Sequence, residues 1–153
     1  FLPAQASALS RTLVAGFGAT ETGGPPSGRR LGTVVPIVSR TCESAGHAAA
    51  FGCVSGSETV ACASGGNPSL FPTQAAPALC PADGSRGAAQ LPDTCAGDSG
   101  GPAFVEAVEG DRIYLYGIVS RGLHSSRRCG PGGIYTIVSP QLVEYIRRNG
   151  RQV

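Results

Sequence analysis

Glycine and proline punctuate this chain so densely that long regular elements have little room: of 153 residues, 23 are glycine and 12 are proline. Inside a helix each glycine costs about 1 kcal/mol and each proline about 3. Short strands joined by many turns are what such a sequence tolerates. The intervening runs have that character. Thr12–Phe17 (TLVAGF), Thr33–Val38 (TVVPIV), Pro102–Val108, Ile113–Ser120 and Ile134–Val138 are apolar, rich in β-branched residues and of strand length. Thr20–Arg30 (TETGGPPSGRR) is polar and broken by Gly-Gly and Pro-Pro steps, which predicts an exposed, protease-sensitive loop. Near the end, Ser139-Pro140 supplies an N-cap and a proline in the first helical position. A helix over 139–150 follows, with Leu142, Val143, Tyr145 and Ile146 as its apolar face, Arg147 and Arg148 in its last turn and Gly150 to end it. Repeated short strands and one terminal helix predict an all-β fold, an antiparallel β-barrel carrying a C-terminal α-helix. With no internal repeat, residues 1–153 are expected to form a single domain.

Composition narrows the function classes. The net charge is +2, and all 12 basic residues are arginines dispersed along the chain. That is too little clustered charge for nucleic-acid binding. No apolar run approaches the roughly 20 residues that span a bilayer, so no membrane association is expected. The chain contains no methionine and begins at Phe1, so excision from a longer precursor is expected, with Phe1–Ser10 as a loose lead-in. Six cysteines (Cys42, Cys53, Cys62, Cys80, Cys95 and Cys129) form no CxxC pair, and the two histidines, His47 and His124, complete no zinc-ligand pattern. Three disulfides in an oxidising compartment, secreted or periplasmic, are the expectation, with no metal and no cofactor. From Cys42 to Cys80 the sequence is Ala-, Gly- and Ser-rich with little amphipathic pattern, so tethering by cysteines is expected to matter there.

The chemistry concentrates in Asp93-Thr94-Cys95-Ala96-Gly97-Asp98-Ser99-Gly100-Gly101-Pro102. A serine hydroxyl becomes a nucleophile when a base takes its proton and a third group orients that base. Glycines on both sides allow the unusual backbone angles that present a serine on a tight turn, with amide N–H groups converging beside it. Those amides would stabilise an oxyanion, at about 3–4 kcal/mol per donor. Neither histidine sits in a sequence context suited to be the base, so the chain reads as half of an active site.

The motif CAGDSGGP (95–102) resembles the nucleophile signature of the chymotrypsin/trypsin-like serine proteases. The resemblance extends through LVAGFGATETGGPPS (13–27), VPIVSRTC (35–42), YGIVSRG (116–122) and GIYTIVSPQLVEYI (133–146), in the family's order. It covers the second of the family's two β-barrels and implies a six-stranded trypsin-like barrel, with residues 1–11 as the remnant of the inter-barrel linker. The first barrel, source of the catalytic histidine and aspartate, has no counterpart. Carried over, Ser99 is the nucleophile, and the amides of Gly97 and Ser99 form the oxyanion hole. Asp98 is implied to be the acid that pairs with a newly freed N-terminus on zymogen activation. Asp93 lies at the floor of the primary specificity pocket, where a carboxylate selects Arg or Lys before the cut. Gly122 and Gly133 are implied at the pocket walls, and Ser120–Gly122 would pair with an extended substrate strand. The family's disulfide between an early strand and the segment after the nucleophile is replaced at both ends, by Thr12 and Val105. Family pairings imply Cys42–Cys80 and Cys95–Cys129, leaving Cys53–Cys62 as an extra staple inside an insertion over 43–79. Arg121 stands where the family places a tryptophan, which implies a subsite preference shifted toward acidic side chains. His124 reads as a solvated loop residue, and His47 is assigned no role.

The resulting expectation is an exported, trypsin-like endopeptidase subunit, acting through an acyl-enzyme on Ser99. Its partners would be the N-terminal barrel fragment of the same precursor and protein or peptide substrates with Arg or Lys before the cut. The alternative is an inactive homologue that binds partners on the same scaffold; the joint retention of Asp93, Gly97, Asp98 and Ser99 favours the enzyme.

Overall fold

In the computed structural model the described residues are 11–62, 80, 93–106, 112–123, 129 and 132–150. The expected lead-in Phe1–Ser10, and His124, lie outside them. Six strands are present among the described residues: β1 (Arg11–Gly16), β2 (Leu31–Ser39), β3 (Glu58–Ala61), β4 (Pro102–Glu106), β5 (Ile113–Gly122) and β6 (Gly133–Ile137). They close into a barrel in the order β1-β2-β3-β6-β5-β4, every pair antiparallel. Closure gives every strand a neighbour on both sides, which reduces the usual aggregation liability of a small β domain.

Alternation along the strands puts one apolar set inside. Val14, Val35, Ile37, Ala61, Ala103, Val105, Tyr116, Val119 and Tyr135 form the barrel core. Each fully buried valine or isoleucine contributes roughly 1.5–3 kcal/mol relative to exposure. Tyr116 is admitted because its hydroxyl donates to the Arg40 carbonyl at 2.7 Å. Gly117 lets β5 lie close against β6, since a Cβ there would stand 3.1 Å from the Thr136 carbonyl oxygen. A second cluster beneath the barrel packs Phe51, Val60, Leu123 and Ile134 around Cys42, Cys53, Cys62 and Cys80.

That second cluster departs from the sequence reading. Within the expected 43–79 insertion, residues 63–79 lie outside the described residues, and the part before them is regular. Residues Ala45–Phe51 form a helix, α1, with Ser44 as N-cap accepting from the His47 amide and Gly52 in the left-handed conformation at its end. β3 then completes the barrel between β2 and β6. The disulfides are Cys42–Cys53, Cys62–Cys80 and Cys95–Cys129, so the expected Cys42–Cys80 and Cys53–Cys62 pairings are wrong and only Cys95–Cys129 holds. The reason is local. The α1 turn doubles the chain back until Cys53 lies 6.0 Å (Cα–Cα) from Cys42, and β3 delivers Cys62 to Cys80 at 5.8 Å.

The C-terminal helix, α2 (Pro140–Asn149), matches expectation: Ser139 caps it by accepting from the Leu142 amide, and Arg147 and Arg148 occupy its last turn. Its apolar face is only partly covered among the described residues: Leu142 and Val143 are half-buried, whereas Tyr145 is 65% exposed and Ile146 55%. No helix among the described residues is long and apolar enough to cross a membrane.

Thr12 and Val105 are both buried. They lie one step beyond the Leu13↔Phe104 pair in the β1–β4 register, directly opposite one another. Thr12 fills its place by donating from its hydroxyl to the Phe104 carbonyl at 2.9 Å. The double substitution Thr12→Cys/Val105→Cys is therefore expected to oxidise to a disulfide and to stabilise the fold by about 2–4 kcal/mol. Thiol titration and thermal unfolding, with and without reductant, read the result; two persistently free thiols would refute the pairing.

Candidate active site

The serine turn is fastened on two sides. On the β5 side, the Gly100 amide donates to the Val119 carbonyl and the Val119 amide to the Gly101 carbonyl, both at 2.9 Å. On the β1 side, the Ala19 amide donates to the Ala96 carbonyl at 2.9 Å. Asp98 joins the two halves of the turn. Its Oδ1 accepts from the Gly18 amide at 2.8 Å and its Oδ2 from the Cys95 amide at 2.9 Å. Such close approach needs bare backbone: a Cβ on Gly18 would stand 2.6 Å from the Asp98 carboxyl, and one on Gly16 would overlap it. Gly97 and Gly100 hold φ of 94° and 83°, the left-handed region where a side chain is strained. Gly101 is pressed between the Asp98 and Ala15 carbonyl oxygens, at 2.8 and 2.9 Å from where its Cβ would be.

At the tip of this turn Ser99 is exposed. It lies in a cleft lined also by Phe17, Arg30, Gly97, Pro102 and Phe104. Within the turn the Asp98 amide donates to Cys95 and the Gly101 amide to Asp98, whereas among the described residues the amides of Gly97 and Ser99 have no acceptor. Two unused donors beside an exposed hydroxyl are the elements an oxyanion-stabilising site needs. No histidine lines this cleft among the described residues. His47 is in α1 with its Nδ1 2.9 Å from the Ser39 hydroxyl.

Asp93 opens the same loop. Its Oδ1 accepts from the Thr94 amide at 2.7 Å, but Oδ2 is buried with no hydrogen-bond partner. Desolvation pushes the carboxyl up to about 6; the Thr94 amide chiefly, with weaker pulls from Gly132 and Tyr135, limits the rise. Burial, and then the Asp93 charge, push the Tyr135 phenol up as well. Asp93, Thr94 and Asp98 line a cavity of about 360 Å³ that runs toward Gly16, Gly18 and Gly32.

Neither of the two expected wall glycines lines that cavity. Gly133 backs onto Asp93's neighbours instead, and a Cβ there would meet the Tyr135 hydroxyl at 2.8 Å and the Thr94 hydroxyl at 3.0 Å. Gly122 faces open space. The β4 ladder pairs with β5 only as far as Pro102↔Ile118, and the serine turn covers Val119. Ser120, Arg121 and Gly122 thus extend past their neighbour, with β6 on one side and an uncovered edge on the other among the described residues.

Sequence reading missed three contributors here. Thr94 and Tyr135, whose hydroxyls lie 3.4 Å apart, brace Asp93 from below. Glu58, on the unrecognised β3, holds Arg121 in an ion pair at 2.6 Å. The β-branched Thr59-Val60 pair was the available signal, too short to stand out.

Residues 82–146 match the family model described as Trypsin. No curated protein matches the chain. The closed six-stranded barrel and its terminal helix agree with that match, which covers less than half of the chain, so the chain is similar to the C-terminal half of the trypsin-like serine proteases.

Proposed function

We propose that the chain is the nucleophile-bearing half of an exported serine endopeptidase that cuts after Arg or Lys. The observation that supports this most directly is Ser99 itself, exposed on a pinned turn beside the amides of Gly97 and Ser99, which have no acceptor among the described residues. In the reaction, the Ser99 hydroxyl attacks the scissile carbonyl while a base takes its proton. The oxyanion is received by the two amides. The amine then departs with that proton, leaving an acyl-enzyme that water hydrolyses. Asp93 holds the basic side chain before the cut, and the Ser120–Gly122 edge takes the substrate as an added strand. Gly133 keeps the ground beside Thr94 clear, and Gly122 leaves the rim open.

The base and its orienting carboxylate come from an N-terminal barrel of the same precursor. The outer barrel wall supports such a mate. Val34, Leu13, Phe104 and Leu115 follow one another across β2, β1, β4 and β5 in register, forming an apolar stripe. Val34 is 52% exposed and Leu115 44%. The stripe runs through Phe104, which borders the Ser99 cleft, so whatever covers it is positioned to reach the hydroxyl. A stripe of this kind on an exported domain calls for a partner. Asp98 serves activation: two amides use part of its acceptor capacity, and a carboxylate has roughly four lone-pair sites, leaving room for a freed α-ammonium. Three disulfides are consistent with export.

A fluorophosphonate probe applied to the native two-piece protein tests the reading. Labelling is expected at Ser99 and is expected to vanish when the pieces are separated. A native preparation that never labels would indicate the alternative, a binding protein on the same scaffold.

A further inference from the structure

Arg121 leaves the uncovered end of β5 with its charge already engaged. Its Nη1 donates to Glu58 Oε1 at 2.6 Å and its Nη2 to Glu58 Oε2 at 2.8 Å, while Nη2 also donates to the Gly52 carbonyl at 2.8 Å. Nη1 further approaches the Ser120 hydroxyl at 3.3 Å. Glu58 cannot swing away, because Oε2 also accepts from the Val54 amide at 2.8 Å and its side chain is only 9% exposed. The Arg121 side chain by contrast is 43% exposed. A two-pronged fork on a fixed carboxylate sets the plane of the guanidinium as well as its position. What reaches the substrate edge is therefore a flat, weakly hydrated surface whose positive field is cancelled by the carboxylate behind it. This revises the expectation that Arg121 turns the subsite toward acidic residues. An acidic side chain would meet the Glu58 charge and a guanidinium whose Nη1 and Nη2 donors are already in use, whereas an aromatic or aliphatic one can lie on the exposed face.

We propose that the Arg121–Glu58 pair is a specificity-determining platform that favours an aromatic or aliphatic residue upstream of the cut, with Glu58 acting as the element that rejects acidic ones. The inference rests on the proposed seating of substrate along Ser120–Gly122, and does not depend on which group deprotonates Ser99. Discrimination of this kind combines an attractive surface with a built-in refusal.

The test uses the two-piece protein carrying Ser99→Ala, so that peptides are bound and not consumed. Fluorescence anisotropy measures labelled peptides with Arg before the cut, placing Phe, Leu, Gln or Glu in turn at the second, third and fourth residues upstream. Phe or Leu is expected to bind about fivefold tighter than Glu at one of these positions, and Glu58→Gln is expected to improve the Glu peptide about fivefold at that position. The double variant Glu58→Gln/Arg121→Leu, uncharged throughout, is expected to keep the aromatic preference and gain no affinity for Glu. Should the single variant not fold, a reversed preference in the double variant overturns the proposal. It is equally overturned by a Glu preference in the protein with Glu58 intact, by an unchanged profile in Glu58→Gln, or by no peptide binding at all. Exchanging the Arg before the cut for Ala reads the Asp93 site separately, so primary specificity and the platform can fail independently.

Discussion

If the chain is the nucleophile-bearing half of the proposed two-piece enzyme, replacing Ser99 with alanine is expected to lower kcat by about 10⁶-fold while leaving peptide affinity within about twofold. The size follows from the role. Losing the atom that forms the acyl bond removes the whole covalent route, and the residual rate is what the Gly97 and Ser99 amides and substrate binding sustain. Folding is not at stake, because Ser99 is exposed and its side chain is in none of the hydrogen bonds that pin the turn. A surface substitution of that sort shifts stability by about 0.5 kcal/mol or less. Thermal unfolding beside single-turnover kinetics on a peptide ester separates the two effects. A loss of only tenfold, with the fold intact, would mean that Ser99 is not the nucleophile.

Asp93→Ser is expected to cost about 10⁴-fold in kcat/KM for substrates with Arg before the cut, with little change for substrates carrying Ala there. The buried Oδ2 has no hydrogen-bond partner among the described residues, and a guanidinium is the kind of group that would complete it. Binding should depend on pH in a defined direction. With its carboxyl at about 6, Asp93 is largely neutral at pH 5 and ionised at pH 7. Affinity for a small amidinium such as benzamidine is thus expected to weaken as pH falls through about 6, and the variant is expected to show no such step.

Stability moves the opposite way. A folded-state value raised above the ordinary 3.8 makes ionisation a cost to the fold, and that cost grows between pH about 4 and about 6. At neutral pH it is on the order of 2–3 kcal/mol, which Asp93→Ser relieves. Unchanged Arg selectivity in the variant would remove Asp93 from the specificity site.

The helix over 139–150 was legible because its signals are local: a Ser-Pro start, an apolar face and a basic last turn act within a few residues. The five strands anticipated from β-branched runs are likewise present, because each carries enough alternating apolar residues to mark its buried side. β3 escaped notice. With four residues, Glu58–Ala61, all buried, it shows no alternation and borrows its order from β2 and β6 on either side. The two misassigned disulfides share that origin, since a bridge depends on where α1 and β3 carry their cysteines, which spacing along the chain does not encode.

From the order of residues alone came the turn at Gly97–Gly101, its serine and the acid at position 93, because glycine conformations and a nucleophile's neighbours are properties of a short stretch of chain. Only the folded barrel decided what surrounds them: that Asp93 keeps one carboxylate oxygen buried without a hydrogen bond among the described residues, that β5 outruns β4 to leave an edge beside Ser99, and that Glu58 neutralises Arg121. Each of these depends on pairing residues tens of positions apart, and such pairs are set by the closure of six strands into one ring, where every register constrains the next.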